Sequence, residues 1–252
     1  MKPILFLLIL SASLFGTELK YCQITDEAKH AQNQKQLETI LEKELASLKA
    51  NEPPEQKADA LRNRIAKIAH QLLQKGFFTE AYSNPDLDSD SIVGYNCFSL
   101  WEGESHESIP LTFLVYVWPS EEFALQHRPE DPNNFHYASR IHSHPISCAF
   151  AALQGTLFQN NYEVASDRIV QWTHQDIFQQ GEGSIDDLGQ PFIHQLYTKG
   201  SGSLPALSLH VYGLPTEEKV MASFDATRAL HTYNQVLQKD GIVKVIREKS
   251  LE

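Results

Sequence analysis

The sequence lacks a basic run, and its charge balance is strongly acidic. Its 252 residues carry a net charge of −11, and the 21 Lys and Arg residues are scattered along the chain. The chain also contains no internal repeat and no low-complexity tract. An acidic chain of this kind argues against nucleic acid and against an anionic membrane surface as partners.

Cysteine is scarce, because only Cys22, Cys97 and Cys148 are present. A secreted protein held together by disulfides normally has an even number of cysteines. One pair, such as Cys22 with Cys97, is possible and leaves Cys148 over. An odd count is not typical of a disulfide framework, and the central cysteine, close to two histidines, needs its own explanation.

Long hydrophobic runs are missing except at the N-terminus. There, one Lys precedes an apolar stretch from Ile4 to about Phe15, which is too short for a comfortable membrane span. The pattern is typical of a secretory signal peptide over residues 1–16, with an uncleaved anchor as the alternative. We expect a secreted or periplasmic protein without stable membrane association after removal of the leader, or a cytoplasmic one if the leader is misread.

The remaining chain divides into residues 17–90, predicted as an N-terminal helical extension, and residues 91–252, predicted as one main domain. Residues 26–75 have apolar residues at helical spacing, and the sequence NEPPE divides them into two helices, with Gly76 ending the second. From about residue 92, short β-branched and aromatic runs between turn signals predict an all-β barrel or sandwich.

Particular strands can be assigned within this domain. LTFLVYVW (111–118) and ALSLHVYGL (206–214) are predicted as strands, NNYEVAS and DRIVQWTHQD as a strand pair, and residues 120–139 as a polar insertion or lid. Strict alternation separates two faces of the strand at 206–214. One face has Leu207, Leu209 and Val211, and the other has Ser208, His210 and Tyr212. The polar face either meets water, as is usual in antiparallel sheets, or lines a site inside a barrel.

Residues 140–157, RIHSHPISCAFAALQGTL, combine two histidines, a cysteine and a glycine in an apolar run. On a strand, His142 and His144 project from the same face, and Arg140 joins them if the strand begins early. Two imidazoles at this spacing can hold one metal ion. Seven further histidines are interpreted as surface or core residues: His30, His70, His106, His127, His136, His174 and His231.

The order of these residues resembles known motifs. His142, His144, Cys148 and Gly155 resemble the first cupin motif, with cysteine at the position where cupins usually have a glutamate ligand. The segment DDLGQPFIHQL resembles the second motif and supplies His194. Several motifs in one order are much more specific than an isolated His-x-His.

The strand ALSLHVY narrows the resemblance to one family. Its Ser208, His210 and Tyr212 match a Ser-x-His-x-Tyr strand, and CAFAALQGTL matches a Leu-x-Gly-x-Leu turn. Over about residues 90–225 the sequence resembles the cysteine dioxygenase family, thiol dioxygenases of the cupin superfamily. The resemblance implies a cupin barrel (a double-stranded β-helix or jelly roll). It also favours the interpretation in which the polar face of this strand lines a site inside the barrel.

The resemblance also implies a cofactor and a reaction. Fe(II) is expected to be held by His142, His144 and His194, and the substrate thiol to be oxidised to a sulfinic acid with both atoms of O2. Cysteine is the expected substrate, with cysteine sulfinic acid as the product. The expected partners are therefore a small thiol and O2, and we expect a monomer.

Four further residues take roles by the same resemblance. Cys148 and Tyr212 match a pair that forms a thioether crosslink beside the iron. The Tyr212 hydroxyl is expected to orient substrate and oxygen, with His210 and Ser208 as a hydrogen-bonded relay behind it. A small buried hydrophobic residue is the alternative role for Cys148.

The sequence departs from the family at the substrate clamp. The family has an arginine in a Tyr-x-Arg context, and in YNCFSL this position is Cys97, which cannot replace a bidentate guanidinium. Arg140 is the predicted substitute, unless it is a rim residue paired with an acidic neighbour; Arg128 and Arg168 are weaker choices. The alternatives are a dioxygenase for another small thiol, such as a mercapto acid or cysteamine, a non-catalytic metal- or ligand-binding cupin, or a secreted structural protein on a decayed dioxygenase fold.

Overall fold

The computed structural model describes residues 24–83, 95–103, 109–127, 139, 141–143, 147–166, 169–185, 193–199, 202–213, 232–237 and 242–249. Its helices are α1 (Glu27–Ala46), α2 (Pro54–Arg62), α3 (Ile65–Gln74), a 3-10 turn (Thr79–Ala81) and α4 (Glu121–His127). Its strands are β1 (Asn96–Glu102), β2 (Leu111–Trp118), β3 (Ile141–Ser143), β4 (Cys148–Gln154), β5 (Thr156–Ser166), β6 (Ile169–Phe178), β7 (Gly183–Ile185), β8 (Ile193–Lys199), β9 (Ala206–Gly213), β10 (Thr232–Leu237) and β11 (Ile242–Lys249). Among the described helices, none is both long and apolar enough to cross a membrane.

Local sequence signals set most of the helix boundaries. The Asp26 side chain accepts a hydrogen bond from the backbone of Lys29 at 3.0 Å and so caps α1. Helix α3 ends at Gly76, whose φ of 73° is in the left-handed region. There the backbone nitrogens of Phe77 and Gly76 donate to the carbonyls of Leu72 and Leu73, a Schellman motif. The predicted end at Gly76 is therefore confirmed.

The prediction of two helices over residues 26–75 is wrong in one detail, because the second helix is divided at Asn63 and Arg64. The backbone of Arg64, with φ −103° and ψ 13°, leaves the helical region, and its guanidinium Nη1 lies 2.8 Å from Glu44 Oε2. A contact with another helix thus coincides with the break, and helical periodicity in the sequence does not reveal such a contact.

Glu44 connects α1 with the segment that follows it. Its side chain is only 3% exposed, and Arg64, Lys67 and Gln71 surround it with contacts of 2.8 Å each. Burial alone would raise the pKa of this carboxyl, but hydrogen bonds from Lys67, Gln71 and Arg64 outweigh burial and lower the pKa from 4.5 to about 2. The helical extension is therefore held together by a buried carboxylate as well as by apolar packing.

The described strands form two antiparallel sheets. The first has the order β1-β2-β9-β4-β7, and the second has the order β10-β11-β6-β5-β8-β3 and closes on itself. The chain passes from the first sheet to the second at Gly155, whose φ of 78° allows the tight turn between β4 and β5. The predicted all-β barrel with N-terminal helices is confirmed, as are the strands at 111–118 and 206–214.

The two faces of the first sheet pack against different parts of the chain. Its outer face packs against the helices in the main hydrophobic core, which includes Leu207, Leu209 and Val211 of β9. Its inner face joins Trp118, Phe150 and Ala206 to Leu157 and Leu196 of the second sheet. The space between the two sheets is therefore where β9 presents its other set of side chains.

Two further predictions can be compared with the second half of the chain. The predicted strand pair is confirmed, because β5 and β6 pair in antiparallel register from Leu157–Phe178 to Ser166–Ile169. The predicted insertion at 120–139 begins with helix α4, which the Ser120 hydroxyl caps at the nitrogen of Phe123. Residues 128–138 of this segment, and the predicted leader at 1–16, lie outside the described residues.

Candidate active site

The polar face of β9 points between the sheets and not to water. Ser208, His210 and Tyr212 are 1%, 3% and 4% exposed. The His210 ring lies 5.5 Å from the ring of Phe150, a core residue of the interior. Burying three polar side chains is costly unless each is hydrogen-bonded. Of the two interpretations that the sequence allowed, the structure supports a polar set inside the barrel.

A hydrogen-bond chain joins these side chains. Trp118 Nε1 donates to Ser208 Oγ at 2.9 Å, and the same oxygen lies 2.8 Å from His210 Nε2. His210 Nδ1 lies 3.3 Å from the Tyr212 hydroxyl oxygen. Each ring nitrogen of His210 therefore has a hydroxyl partner, and the chain holds the Tyr212 hydroxyl from one side.

Cys148 and Tyr212, the predicted crosslink pair, lie directly opposite each other on β4 and β9. They belong to one small buried cluster with Leu114. Burial, and then the neighbouring Cys148, raises the pKa of Tyr212 well above its usual value. Tyr212 therefore keeps its phenol proton at neutral pH and acts as a hydrogen-bond donor.

Tyr116 of β2 is a site residue that sequence reasoning missed. Its hydroxyl lies 3.2 Å from the Tyr212 hydroxyl, and its ring centroid is 4.1 Å from that of His210. Burial of its hydroxyl and the nearby Tyr212 and Cys97 raise the pKa of Tyr116 well above its usual value. The sequence did contain a signal. Tyr116 lies two residues before Trp118 in the alternating run LTFLVYVW, so the two aromatic side chains share one face of the strand.

Cys97, at the position of the missing arginine, pairs with Tyr116 in the register of β1 and β2. Although Cys97 is exposed over part of its surface, desolvation of its thiol raises the pKa to about 11, while a hydrogen bond with Tyr116 opposes this shift. Both groups are therefore uncharged at neutral pH. These two side chains can offer a substrate hydrogen bonds but no positive charge.

His194 enters the same interior from the second sheet. It is 1% exposed, and its ring centroid is 6.5 Å from that of Phe150. In the register of the second sheet, His194 of β8 lies opposite His142 of β3 on one side and Asn161 of β5 on the other. The structure thus brings two of the three predicted metal positions together. His144, Arg140 and the side chain of His142 lie outside the described residues.

His194 is the only one of the three predicted metal ligands whose side chain belongs to the described residues. Within the described side chains, no three His, Cys, Asp or Glu residues form a group that could hold a metal ion, so the three-histidine site stays a prediction. His194 Nδ1 is 3.4 Å from Gln159 Oε1, and an amide oxygen accepts a hydrogen bond from a protonated Nδ1. This tautomer puts the lone pair on Nε2, the form of an imidazole that a metal ion requires.

Comparisons with known proteins concern the barrel. No family model and no curated protein matches the sequence. A sugar phosphate isomerase of the cupin superfamily from Silicibacter pomeroyi is 16% identical, with a TM-score of 0.31 over 48% of this chain and 59% of that one. An oxalate oxidase is 10% identical, with a TM-score of 0.34 over 51% and 55%.

A third similar structure covers more of the chain. A DMSP lyase is 12% identical, with a TM-score of 0.40 over 73% of this chain and 93% of that one. By contrast, this chain spans only 59% and 55% of the isomerase and the oxidase. At such identities the likeness is one of fold, and the chemistry has to be argued from the side chains of this chain.

We expect Tyr212→Phe to lower kcat by about 100-fold, because the oriented hydroxyl at the end of the hydrogen-bond chain is lost while the ring remains. The measurement is the rate of O2 consumption with a thiol, the reaction that the family resemblance implies. Tyr197→Phe is the matched control, because Tyr197 is also a buried tyrosine whose hydroxyl is hydrogen-bonded, at 2.6 Å from Gln175 Nε2. Equal rates for Tyr212→Phe and the wild type would contradict a role for this hydroxyl.

Proposed function

We propose that this chain is an iron-dependent thiol dioxygenase that converts cysteine and O2 to cysteine sulfinic acid. One observation carries the proposal. Cys148 lies opposite Tyr212, and the Tyr212 hydroxyl ends a buried hydrogen-bond chain inside the barrel that also contains His194. The reaction needs no further oxidant or reductant, because both atoms of one O2 molecule are added to the sulfur of one thiol.

Three histidines would hold the iron: His142, His144 and His194. When bound, Fe(II) supplies open coordination positions for a substrate thiolate and for O2. The absence of a carboxylate ligand from this set fits an anionic sulfur ligand, because the thiolate then supplies the negative charge. This chain's contribution is to orient His194 and to keep the space around it enclosed by Phe150, Leu157 and Leu196.

Tyr212 acts on the substrate through its neutral hydroxyl. We assign the proton of the neutral His210 ring to Nδ1, which then donates to the phenol oxygen at 3.3 Å, so the hydroxyl hydrogen is directed to the interior or to Tyr116. A hydrogen bond from a fixed, desolvated phenol to the sulfur or to oxygen would orient both reactants at no reorganisation cost. Ser208 contributes indirectly, by fixing the tautomer of His210.

Cys148 would form a thioether bond with the ring of Tyr212. The new C–S bond replaces one S–H bond and one ring C–H bond, and the two electrons and two protons pass to O2, which becomes hydrogen peroxide. The cross-strand pairing supports this step, since directly opposite residues have Cβ atoms about 4.5–5.5 Å apart. Mass spectrometry of tryptic fragments would detect the bond as a loss of two hydrogens.

The substrate carboxylate needs a cation, and we assign that role to Arg140.

A second candidate function is favoured by a specific observation. Cys97, at the position of the family's substrate-binding arginine, and its cross-strand neighbour Tyr116 are both uncharged. The second function is dioxygenation of a small thiol without a carboxylate, such as cysteamine. The predicted signal peptide, the secreted or periplasmic location and the monomeric state belong to the proposal and stay predictions.

The test is O2 consumption by the Fe(II)-loaded full chain with cysteine, 3-mercaptopropionate and cysteamine, with the product mass recorded. We expect uptake with cysteine and a product that has gained two oxygen atoms, and we expect Arg140→Leu to raise KM for cysteine much more than for cysteamine. Turnover of cysteamine alone would favour the second function. Bound iron without uptake with any thiol would overturn the proposed reaction and favour a binding cupin.

A further inference from the structure

A polar chain crosses the inner face of the second sheet beside His194. His194 Nδ1 contacts Gln159 Oε1 at 3.4 Å, and Gln159 Nε2 donates to Asn161 Oδ1 at 2.7 Å. Asn161 Nδ2 then donates to Asp176 Oδ2 at 2.8 Å. Gln159 and Asn161 are 1% and 6% exposed, whereas the Asp176 side chain is 44% exposed. The chain thus runs from the buried histidine to the rim.

The carboxylate at the rim determines the direction of every hydrogen bond in this chain. An ionised carboxylate can only accept, so Asp176 draws the NH2 group of Asn161 toward itself. The Asn161 oxygen then faces Gln159 and takes the NH2 group of Gln159. The remaining oxygen of Gln159 is consequently turned to His194, where it accepts from Nδ1–H.

A neighbouring contact supports the same orientation of Asn161. His174 Nε2 lies 3.2 Å from Asn161 Nδ2, and His174 Nδ1 lies 2.9 Å from the Thr173 hydroxyl. Since that hydroxyl donates to the Asn161 carbonyl at 3.1 Å, it accepts from His174 Nδ1–H. In this neutral tautomer, Nε2 of His174 accepts from the NH2 group of Asn161, and it also lies 3.5 Å from Asp176 Oδ2.

Gln159 and Asn161 are not required to fill the interior. On the same face of β5, Leu157 packs with Leu196 of β8 in an apolar cluster, so leucine is accommodated one pair away. Two buried amides in place of two apolar side chains cost solvation free energy unless they are fully paired. The pairing ends on His194 Nδ1, the nitrogen that determines which ring atom is presented to the interior.

We propose that Gln159, oriented by Asn161 and Asp176, is a positioning residue that fixes the tautomer and ring orientation of His194 for metal binding. The inference rests on the proposed function only in so far as His194 is a ligand. A hydrogen-bonded partner on the second ring nitrogen typically changes metal affinity by about 10- to 100-fold when it is removed. The outermost residue of this hydrogen-bond chain, Asp176, is a partly exposed carboxylate, separated from His194 by the side chains of Gln159 and Asn161.

The test is the dissociation constant of the full chain for Zn(II) and Fe(II), measured by competition with a chromophoric chelator. We expect Gln159→Leu to weaken binding of both metals by about 10- to 100-fold. Gln159→Glu keeps an acceptor at Nδ1 but loses the NH2 group that donates to the Asn161 oxygen, so we expect it to restore only part of the affinity. Gln195→Leu is the matched control, because Gln195 is equally buried but bonds to Tyr162 on the opposite face.

A second, milder variant keeps the test informative if Gln159→Leu misfolds. Asp176→Asn removes the acceptor-only group at the rim, so Asn161 loses its fixed orientation, and we expect metal binding to weaken by a few-fold. Glu182→Gln is its control, since Glu182 is an exposed carboxylate that accepts from the Gln179 backbone. Thermal unfolding of each variant without metal shows whether the fold is intact.

The outcomes separate this inference from the proposed reaction. Wild-type affinity in both Gln159→Leu and Asp176→Asn would overturn the positioning role. A wild-type chain that binds metal but oxidises no thiol would overturn the proposed reaction only, and weaker metal binding by the variants would still support the positioning role. A wild-type chain without measurable metal affinity would overturn both.

Discussion

His194→Ala is expected to yield a folded chain that binds no iron and oxidises no thiol. His194 is the one proposed metal ligand whose side chain the structure describes; it is buried, and its Nδ1 contacts Gln159 at 3.4 Å. In the proposed site, loss of one of three imidazoles leaves two ligands and a much lower affinity. The measurement is iron content after purification from fresh cells, followed by O2 consumption with cysteine.

His70→Ala is the control for this variant. His70 is exposed on the helical extension and contacts Gln74 at 3.0 Å, so its removal should leave iron content and O2 consumption at the wild-type level. An iron content of one per chain in His194→Ala, with normal thiol oxidation, would exclude His194 as a ligand.

Glu44→Gln is expected to lower the free energy of unfolding by about 3 kcal/mol at pH 7. The pKa of Glu44 is lowered from 4.5 to about 2 in the folded chain, and each unit corresponds to about 1.4 kcal/mol. A carboxyl with a lowered folded pKa contributes stability above its unfolded pKa and loses it as pH falls through its folded value. The difference between wild type and Glu44→Gln should therefore shrink as pH falls from about 4.5 to about 2.

Chemical denaturation at several pH values between 7 and 2 measures this difference. Glu42→Gln is the matched control, because Glu42 is an exposed carboxylate on the same helix, and we expect its substitution to change stability by less than about 0.5 kcal/mol. A constant difference between wild type and Glu44→Gln across this pH range would show that the ion pairs with Arg64 and Lys67 do not stabilise the fold.

The parts of the fold that the sequence predicts are those with a strong local period. Alternation along 206–214 correctly separates Leu207 and Leu209 from Ser208 and His210, because every second residue of a strand shares a face. Alternation does not show which of the two faces contacts solvent. Only the helices packed on the outer face turn the polar set into an interior one.

The missed site residues depend on register between distant strands. Tyr116 reaches Tyr212 because β2 pairs with β9 across 96 positions of sequence, and Gln159 reaches His194 across 35 positions. No local period specifies these pairings. The division of the second helix at Arg64 has the same origin, since it coincides with a contact to Glu44 in another helix.

The hydrogen-bond chain behind Tyr212 offers no path for its phenol proton. With the His210 proton on Nδ1, the ring nitrogen that faces Tyr212 cannot accept another, and the Trp118 indole N–H at the far end of the chain has no lone pair either. The phenol proton can then leave only toward Tyr116 or into the space between the sheets. A substrate bound in that space would leave Tyr116 as the remaining partner of the phenol proton.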